Sequence, residues 1–588
     1  MKPQIRSWMR AFIPLLLYFS VWALIRPPFQ TPDEYSHAYK AYSVSRTPWL
    51  APDVWVAAYR RFVNPLAQDP VLNALSGHTV PFLSRSEIAR LKGVGWPAAP
   101  GWAVEKQPSS AFNYPTLYYL PVFAIGQGAT EILALTPYQS SFAYRLATVL
   151  LAALLWTWVY RVLRQETPHA VPVFLVVLLN PMLAFMSSGI NPDAWLYPLS
   201  ALAMLYSFRL FFTRDAGGWG TWASVSACAL TKSAALLLYP TLAVLVGLLY
   251  FMRERTRLLR AAGWFALSAL FVYLLFYAWA APAAAALAAQ GLKGISLSVG
   301  QFLARERFGF LWVSYWGNLG WLDYRLPDGY YSVLNYLLLG NLAWVLLHRR
   351  SWLEHPLAWY AASFAVVFSL GSFALEYRLL PITGWVLQGR YFLPVSLGFA
   401  MLAAHDGRLA KWALVIFLVV FNAAFMRQTV VRYYDGDWAR LWSALPFTAA
   451  PGPSASSQRQ LQIVPVMSVP AAVRLGAVDD VGVERNEVVI RGWAPFQDGV
   501  AGQVLTVHTD HAPSSQVLEV QRRPDVVAAL RSHAYLKSGF SITLTYPDAA
   551  AAQQAAADPL CVTASDVRGT VFSLVSNNAD CAVKPDGR

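Results

Sequence analysis

Charge is scarce in this chain. Only 13% of its 588 residues are Asp, Glu, Lys or Arg, and acids are the rarer kind, 32 against 46 bases. A chain so poor in charge and 56% hydrophobic, with a mean hydropathy of +0.39, belongs with multi-span membrane proteins rather than soluble enzymes. Cysteine is nearly missing: Cys228 lies in an apolar run, and Cys561 and Cys581 near the C-terminus are candidates for a disulfide if that end meets an oxidising compartment. There is no glycine-rich nucleotide loop, no phosphate-binding P-loop, no zinc-type cysteine pairing and no internal repeat. The net charge of +14 does not point to nucleic acid, because the Arg and Lys are dispersed over short connections between apolar runs, as the positive-inside rule requires.

What is present is hydrophobic length. Eleven spans are expected: Arg10–Ile25, Phe142–Leu163, Val171–Ser187, Ala194–Phe212, Trp219–Leu230, Ala234–Phe251, Leu258–Ala281, Val333–Leu347, Leu357–Ala374, Phe392–Ala404 and Trp412–Phe425. Lys2, Arg6 and Arg10 place the N-terminus in the cytoplasm, and the first span lacks a small-residue cleavage site, so it reads as an anchor. An odd number of spans then puts the C-terminus outside. The apolar stretch Tyr114–Leu135 carries Pro115, Pro121 and Glu131, and making it a span would leave Arg161 and Arg164 outside; it is read as a juxtamembrane helix, with Trp55–Phe62 and Ser84–Leu91 as shorter amphipathic pieces.

Three parts follow: a membrane domain over 1–434 with an outer loop at 26–140, a linker over 435–458 that includes Pro451–Gln458, and an all-β, sandwich-like domain over 459–588. The last part alternates polar and apolar residues in short segments. His508, Asp510 and His511 read there as a polar hairpin, not a metal site.

Polar residues gather where this topology places the outer helix ends. Just past the first span comes Pro32-Asp33-Glu34-Tyr35-Ser36-His37, two carboxylates with an imidazole one turn later. Thr31 suits an N-cap, Pro32 the first helical position, and Glu34 the return arm of a capping box, so a helix starting here would carry Asp33, Glu34 and His37 near one face. Asn191-Pro192-Asp193 heads a later span, Thr231-Lys232 turns between two short ones, Gly320-Trp321-Leu322-Asp323 lies in the second outer loop, and Gly389-Arg390-Tyr391 precedes the tenth span. Each has a local reading as cap, snorkelling base or interfacial anchor. Ionisable groups are costly at a membrane, and their convergence on one side favours a functional site.

In order and spacing these motifs resemble the GT-C superfamily of integral membrane glycosyltransferases, and more closely a branch of bacterial membrane proteins known only as a domain of unknown function. The similarity covers roughly residues 10 to 430. It implies a GT-C-like helical fold in a bacterial inner membrane, with the C-terminal domain periplasmic, and an inverting hexosyl- or pentosyltransferase. The donor would be a polyprenyl-phosphate-linked sugar and the acceptor an envelope glycan or lipid, with membrane lipids as surroundings and no nucleic acid. Asp33 would be general base, with Glu34 and Asp193 beside it in the catalytic set. His37, Lys232, Asp323, Arg390 and Tyr391 would bind substrate and phosphate. Glu34 and His37 are candidate ligands for a divalent metal cation. The alternative class is a transporter, flippase or polymerase of lipid-linked saccharides; a transporter would be expected to carry its charges near the bilayer midplane, and these sit at helix ends.

Overall fold

A computed structural model describes residues 3–43, 64–76, 82–96, 114–212 except 116, 217–274 except 252–254, and 297–448 except 306–307, 348–355, 384–385 and 405–407. Beyond these it describes 460–464, 473–495, 504–521, 526, 538–557, 561–565 and 571–576. The expected helix Trp55–Phe62, the linker Pro451–Gln458 and Cys581 lie outside the described residues. Two compact units emerge, Met1–His78 with Leu91–Phe447, and Thr79–Arg90 with Thr448–Arg588.

The first unit is helical. Its helices, in chain order, include α1 (Pro3–Leu24), α2 (Glu34–Ser43), α3 (Tyr119–Ile132), α4 (Pro137–Glu166), α5 (Ala170–Leu178), α6 (Pro181–Ser187), α7 (Asp193–Phe212) and α8 (Gly217–Thr231). After α9 (Leu238–Phe251) and α10 (Arg255–Val272) come α11 (Phe308–Trp316), α12 (Asp328–Leu347), α13 (Pro356–Thr383), α14 (Ser396–Ala404) and α15 (Arg408–Tyr434). Four stretches among the described residues are long and apolar enough to cross a membrane: Pro137–Glu166, Asp193–Phe212, Pro356–Leu380 and Lys411–Tyr434. Among the described residues, shorter apolar helices cover Trp8–Leu24, Ala234–Leu245 and Ala262–Val272.

One expected straight span is broken. Val171–Ser187 is two helices, α5 and α6, bent by 70°. Asn180 accepts the amide of Leu183 as an N-cap and Pro181 takes the first position of α6, so a new helix starts where the old one would have continued. The buried Asn180 side chain also donates to the Tyr315 carbonyl at 3.0 Å, tying this break to α11. The stretch expected to be juxtamembrane forms α3, whose Gly126 faces the Tyr144 ring of α4 so closely that a Cβ would overlap it.

The second unit carries eight strands: β1 (Gln460–Val464), β2 (Val473–Glu484), β3 (Glu487–Trp493), β4 (Val504–His508), β5 (Ser515–Gln521), β6 (Gly539–Thr545), β7 (Cys561–Ser565) and β8 (Val571–Ser576). They form one hydrogen-bonded run in the order β1-β4-β7-β8-β2-β3-β6-β5, mostly antiparallel, with β1–β4 and β8–β2 parallel. Val488, Ile490, Leu505, Val507, Ile542 and Val562 share a single core, so strands from both parts of the run close over the same apolar centre. The unit is not all-β as expected. Ala549–Ala557 is a helix that buries Ala552 and Ala555 in that core, and its alanine and glutamine composition has the strongest helix preference available. Cys561 is disulfide-bonded, whereas Cys228 in the helical unit is free and buried.

Candidate active site

The loop after α1 is locked from beneath. Arg26, fully buried, donates to the Trp22 and Phe185 carbonyls, to Thr31 Oγ1 at 2.8 Å and to Ser188 Oγ at 2.7 Å. Thr31 donates its amide to Glu34 Oε2 at 3.0 Å, which is the return arm of the capping box. The helix nonetheless begins at Glu34 and not at Pro32. Asp33 has φ of 60°, a left-handed conformation that no helical residue adopts.

That single turn separates side chains that a continuous helix would have aligned. Glu34 points inward, wholly buried, to Arg145 of α4: Nε lies 2.6 Å from Oε1 and Nη2 2.7 Å from Oε2, a bidentate pair. Glu34 also accepts the amide of Ile190 at 3.1 Å, and the remaining donors of Arg145 go to the carbonyls of Ala23, Arg26 and Pro27. Burial alone would raise the Glu34 pKa; Arg145 outweighs it, and the carboxyl titrates below its ordinary range. Glu34 therefore ties together the ends of α1 and α2, α4 and the α6–α7 connection.

Asp33 points elsewhere, to Arg390. Arg390 Nη2 lies 3.1 Å from Asp33 Oδ2. Arg390 sits on a 3₁₀ turn, Gly389–Val395, anchored where the Gly389 amide donates to Ser314 Oγ of α11 at 2.8 Å. Gly389 is required there: a Cβ would overlap the Leu311 carbonyl oxygen and the Tyr315 amide nitrogen, both backbone atoms. Upstream, the amides of Val386 and Leu387 are held by Glu376 Oε1 at 2.6 and 2.9 Å.

Asp193 arrives from α7. Asn191 caps that helix by accepting the Asp193 amide at 2.9 Å, Pro192 precedes the first turn, and Asn191 Nδ2 reaches the Pro32 carbonyl at 3.1 Å, so the cap is coupled to the Asp33 loop. Asp193 Oδ1 lies 2.7 Å from Lys232 Nζ, between α8 and the following 3₁₀ turn. Both side chains are buried. Burial disfavours the Lys232 charge, but Asp193 outweighs it and the ammonium titrates above its ordinary value. Lys232 also stands 5.5 Å from the centre of the Tyr114 ring and 5.7 Å from that of Tyr391, while the Arg390 guanidinium is 5.4 Å from the latter.

Asp33, Asp193, Lys232, Arg390 and Tyr391 thus form one cluster, linked by the Asp33–Arg390 and Asp193–Lys232 pairs and by the Tyr391 ring that both cations face. Three expected members have their bonds elsewhere: Glu34, held by Arg145, and two more. Asp323 is bound by Arg432 at 2.8 Å, and His37 donates or accepts at Nδ1 with Tyr119 Oη at 2.7 Å while stacking on Tyr114 at 5.4 Å. Burial, with Lys232, Lys40 and Arg390 nearby, keeps the His37 pKa well below its usual value, so the ring is neutral. Glu34 and His37 do not converge as metal ligands, and among the described residues no group of three or more His, Cys, Asp or Glu side chains gathers. Lys40 and Arg145 belong to this region and are not legible as members from the acidic motif. Lys40, one turn beyond His37, donates to the Tyr114 carbonyl, and burial pushes its ammonium down to about 7.

A cavity of about 180 Å³ opens directly on the cluster. Asp193, Lys232, Arg390, Tyr391 and Glu376 are among its polar lining, and Leu196, Leu238, Phe368 and Leu375 among its apolar lining. Arg390 divides two environments. Its own side chain is buried and lines the cavity, yet the Asp33 side chain it holds is 40% exposed and is not among the residues that line it. Its Nε and Nη1 are buried and meet no hydrogen-bond partner among the described residues.

Helices of crossing length carrying an ion-paired polar cluster at their ends define a multi-span membrane protein. The chain belongs to the family described as "Predicted membrane protein (DUF2142)", whose model matches residues 16–399. No curated protein matches it. Among solved structures it is similar to ArnT from Cupriavidus metallidurans in the apo state, with 12% identity and a TM-score of 0.40 over 92% of this chain and 98% of that one. The same ArnT bound to undecaprenyl phosphate gives 13% identity and a TM-score of 0.36 over 91% and 97%. Likeness at that level assigns no residue and no activity to this chain.

Proposed function

We propose that this protein is a GT-C-type membrane glycosyltransferase, moving a hexosyl or pentosyl group from a polyprenyl-phosphate-linked donor to an envelope glycan or lipid at the periplasmic face of a bacterial inner membrane. The observation that carries this reading is Arg390: two guanidinium nitrogens, Nε and Nη1, are buried with no hydrogen-bond partner among the described residues, and the residue lines a mostly apolar cavity. Buried donors without partners cost about 1–3 kcal/mol each, and an anion seated on them removes that cost. A phosphate joined to an apolar chain supplies both the anion for the guanidinium and the hydrocarbon for Leu196, Leu238, Phe368 and Leu375.

The chemistry follows from the two sides of Arg390. The donor phosphate lies on Arg390 and Lys232, its chain among the helices. An acceptor hydroxyl approaches Asp33 from the exposed side, loses its proton to that carboxylate and attacks the anomeric carbon from the face opposite the phosphate. The C–O bond to phosphate breaks with inversion, and the charge left on polyprenyl phosphate is held by the two cations without a proton being needed. Asp193 holds Lys232 extended into the site. Neutral His37 is a spectator that packs Tyr114 and Tyr119. Glu34 supports the loop through Arg145.

The test is release of free polyprenyl phosphate from a panel of polyprenyl-phosphate sugars by purified protein in nanodiscs, with envelope extract as acceptor. Wild type consumes one donor, and Asp33→Asn lowers the rate by about a hundred- to ten-thousand-fold with its fold intact, the range for a lost general base. Equal consumption by both proteins refutes Asp33 as base.

A further inference from the structure

Beside Asp33 stands an aromatic pair that the proposed reaction leaves unused. Tyr35 lies two residues on, 40% exposed, and its ring stacks on Trp321 with centroids 5.8 Å apart and planes inclined by 28°. Trp321 belongs to the tight hairpin formed by Asn318–Leu319 and Tyr324–Arg325. Considerable structure is devoted to its placement. Gly320 and Leu322, on either side of it, both have positive φ, 64° and 65°, and a Cβ on Gly320 would overlap Asp323 Oδ1. The hairpin is fixed to α15 by the Asp323–Arg432 pair and by Tyr324 Oη to Thr429 Oγ1 at 3.1 Å. A leucine in the left-handed region is a costly way to build a turn. Here it sets the residue between Gly320 and Leu322 against Tyr35.

The position of this pair matters more than its existence. Arg390, Lys232 and Asp193 are all nearly closed to solvent, whereas Asp33 and Tyr35, two residues apart on the same short turn into α2, are each 40% exposed. Tyrosine and tryptophan at a membrane surface commonly anchor the chain in the headgroup layer, with their polar edges in the wet region. Trp321 does not meet that description, because its indole N–H is buried and has no hydrogen-bond partner among the described residues. The aromatic surface left open on an exposed Tyr35 and a part-buried Trp321 suits a rigid ring that has a C–H face.

We infer that Tyr35 and Trp321 form the acceptor-binding platform, and that the acceptor presents a pyranose ring, stacked there so that one of its hydroxyls reaches Asp33. This deepens the transferase reading and rests on it for the role of Asp33, but the platform can be tested without any transfer. The acceptor is then a carbohydrate unit, carried on a glycan or on a glycolipid, and not a bare lipid headgroup or a protein side chain.

The experiment is saturation-transfer NMR on the full-length protein in nanodiscs with a panel of methyl hexopyranosides and pentopyranosides, using sorbitol as the open-chain control. Wild type and Asp33→Asn should both bind at least one pyranoside in preference to sorbitol. Trp321→Ala and Tyr35→Ala should weaken that binding at least tenfold, and Trp321→Phe, which keeps an aromatic face, should fall between. If Trp321→Ala does not fold, the exposed Tyr35→Ala decides. Pyranoside binding unchanged in Tyr35→Ala and in any folded Trp321 variant, or no preference over sorbitol in wild type, overturns the platform. Failure of donor release with platform-dependent binding intact would refute the transferase reading and leave this inference standing.

Discussion

Glu34→Gln separates scaffold from chemistry more sharply than any other substitution in the acidic motif. The two carboxylates are adjacent in sequence, but Glu34 is wholly enclosed and shared among Arg145, the Thr31 amide and the Ile190 amide. A glutamine there retains one acceptor oxygen and loses the bidentate contact, leaving the Arg145 guanidinium buried and uncompensated with Arg26, also a buried cation, close by. Breaking a buried pair from one side typically costs about 3–5 kcal/mol, against a total stability of about 5–15 kcal/mol for a folded domain. Glu34→Gln should therefore accumulate poorly and melt well below wild type in detergent. Pairing it with Arg145→Met, which removes the stranded charge, should recover part of the loss, as a double-mutant cycle on thermal midpoints would read directly. A Glu34→Gln protein as stable as wild type yet unable to release polyprenyl phosphate would refute this assignment and return Glu34 to the catalytic set.

Three further outcomes are expected. Arg390→Lys keeps the charge and loses the planar fork, so the donor KM should rise about tenfold or more while the protein folds normally; an unchanged KM would remove Arg390 from the phosphate site. Gly389→Ala should abolish donor binding or accumulation, since its Cβ meets backbone and not a movable side chain, and normal donor consumption would show that the 3₁₀ turn can shift without consequence. Lys40 titrates at about 7 when folded against an ordinary 10.5, so the unfolded chain binds the extra proton between those values and stability should rise with pH across that window, by at most about 1.4 kcal/mol per unit. Thermal midpoints followed from pH 7 to 10 should lose that slope in Lys40→Met.

Much of the site was legible because its pieces are local. Asn191-Pro192-Asp193 is a cap, a helix start and an acid in three residues, and the structure builds it so. Thr31 and Glu34 announce half a capping box, and it is present. The division of labour between Asp33 and Glu34 was not legible, since it depends on Arg145, 111 residues away and inside an apolar helix. An arginine within a membrane span is itself a signal of a buried acid elsewhere, but it does not say which one. The break at Asn180-Pro181 carried an ordinary N-cap signature that a hydropathy window averages away. In the C-terminal unit, the run of alanine and glutamine over Ala549–Ala557 has a plain helical preference amid alternating strands. The left-handed turn at Asp33 had no signature in sequence, since aspartate enters that conformation without glycine.

That turn constrains which residues position 33 can accept. Among side chains with a Cβ, aspartate and asparagine tolerate positive φ best. A glutamate there would meet a backbone penalty before its longer reach mattered, and an alanine would lose the carboxylate and the local tolerance together. The geometry admits aspartate and asparagine, and the proposed proton chemistry takes only the first of them. Asparagine alone removes the charge while satisfying the turn, so activity lost in Asp33→Asn reports on the carboxylate itself.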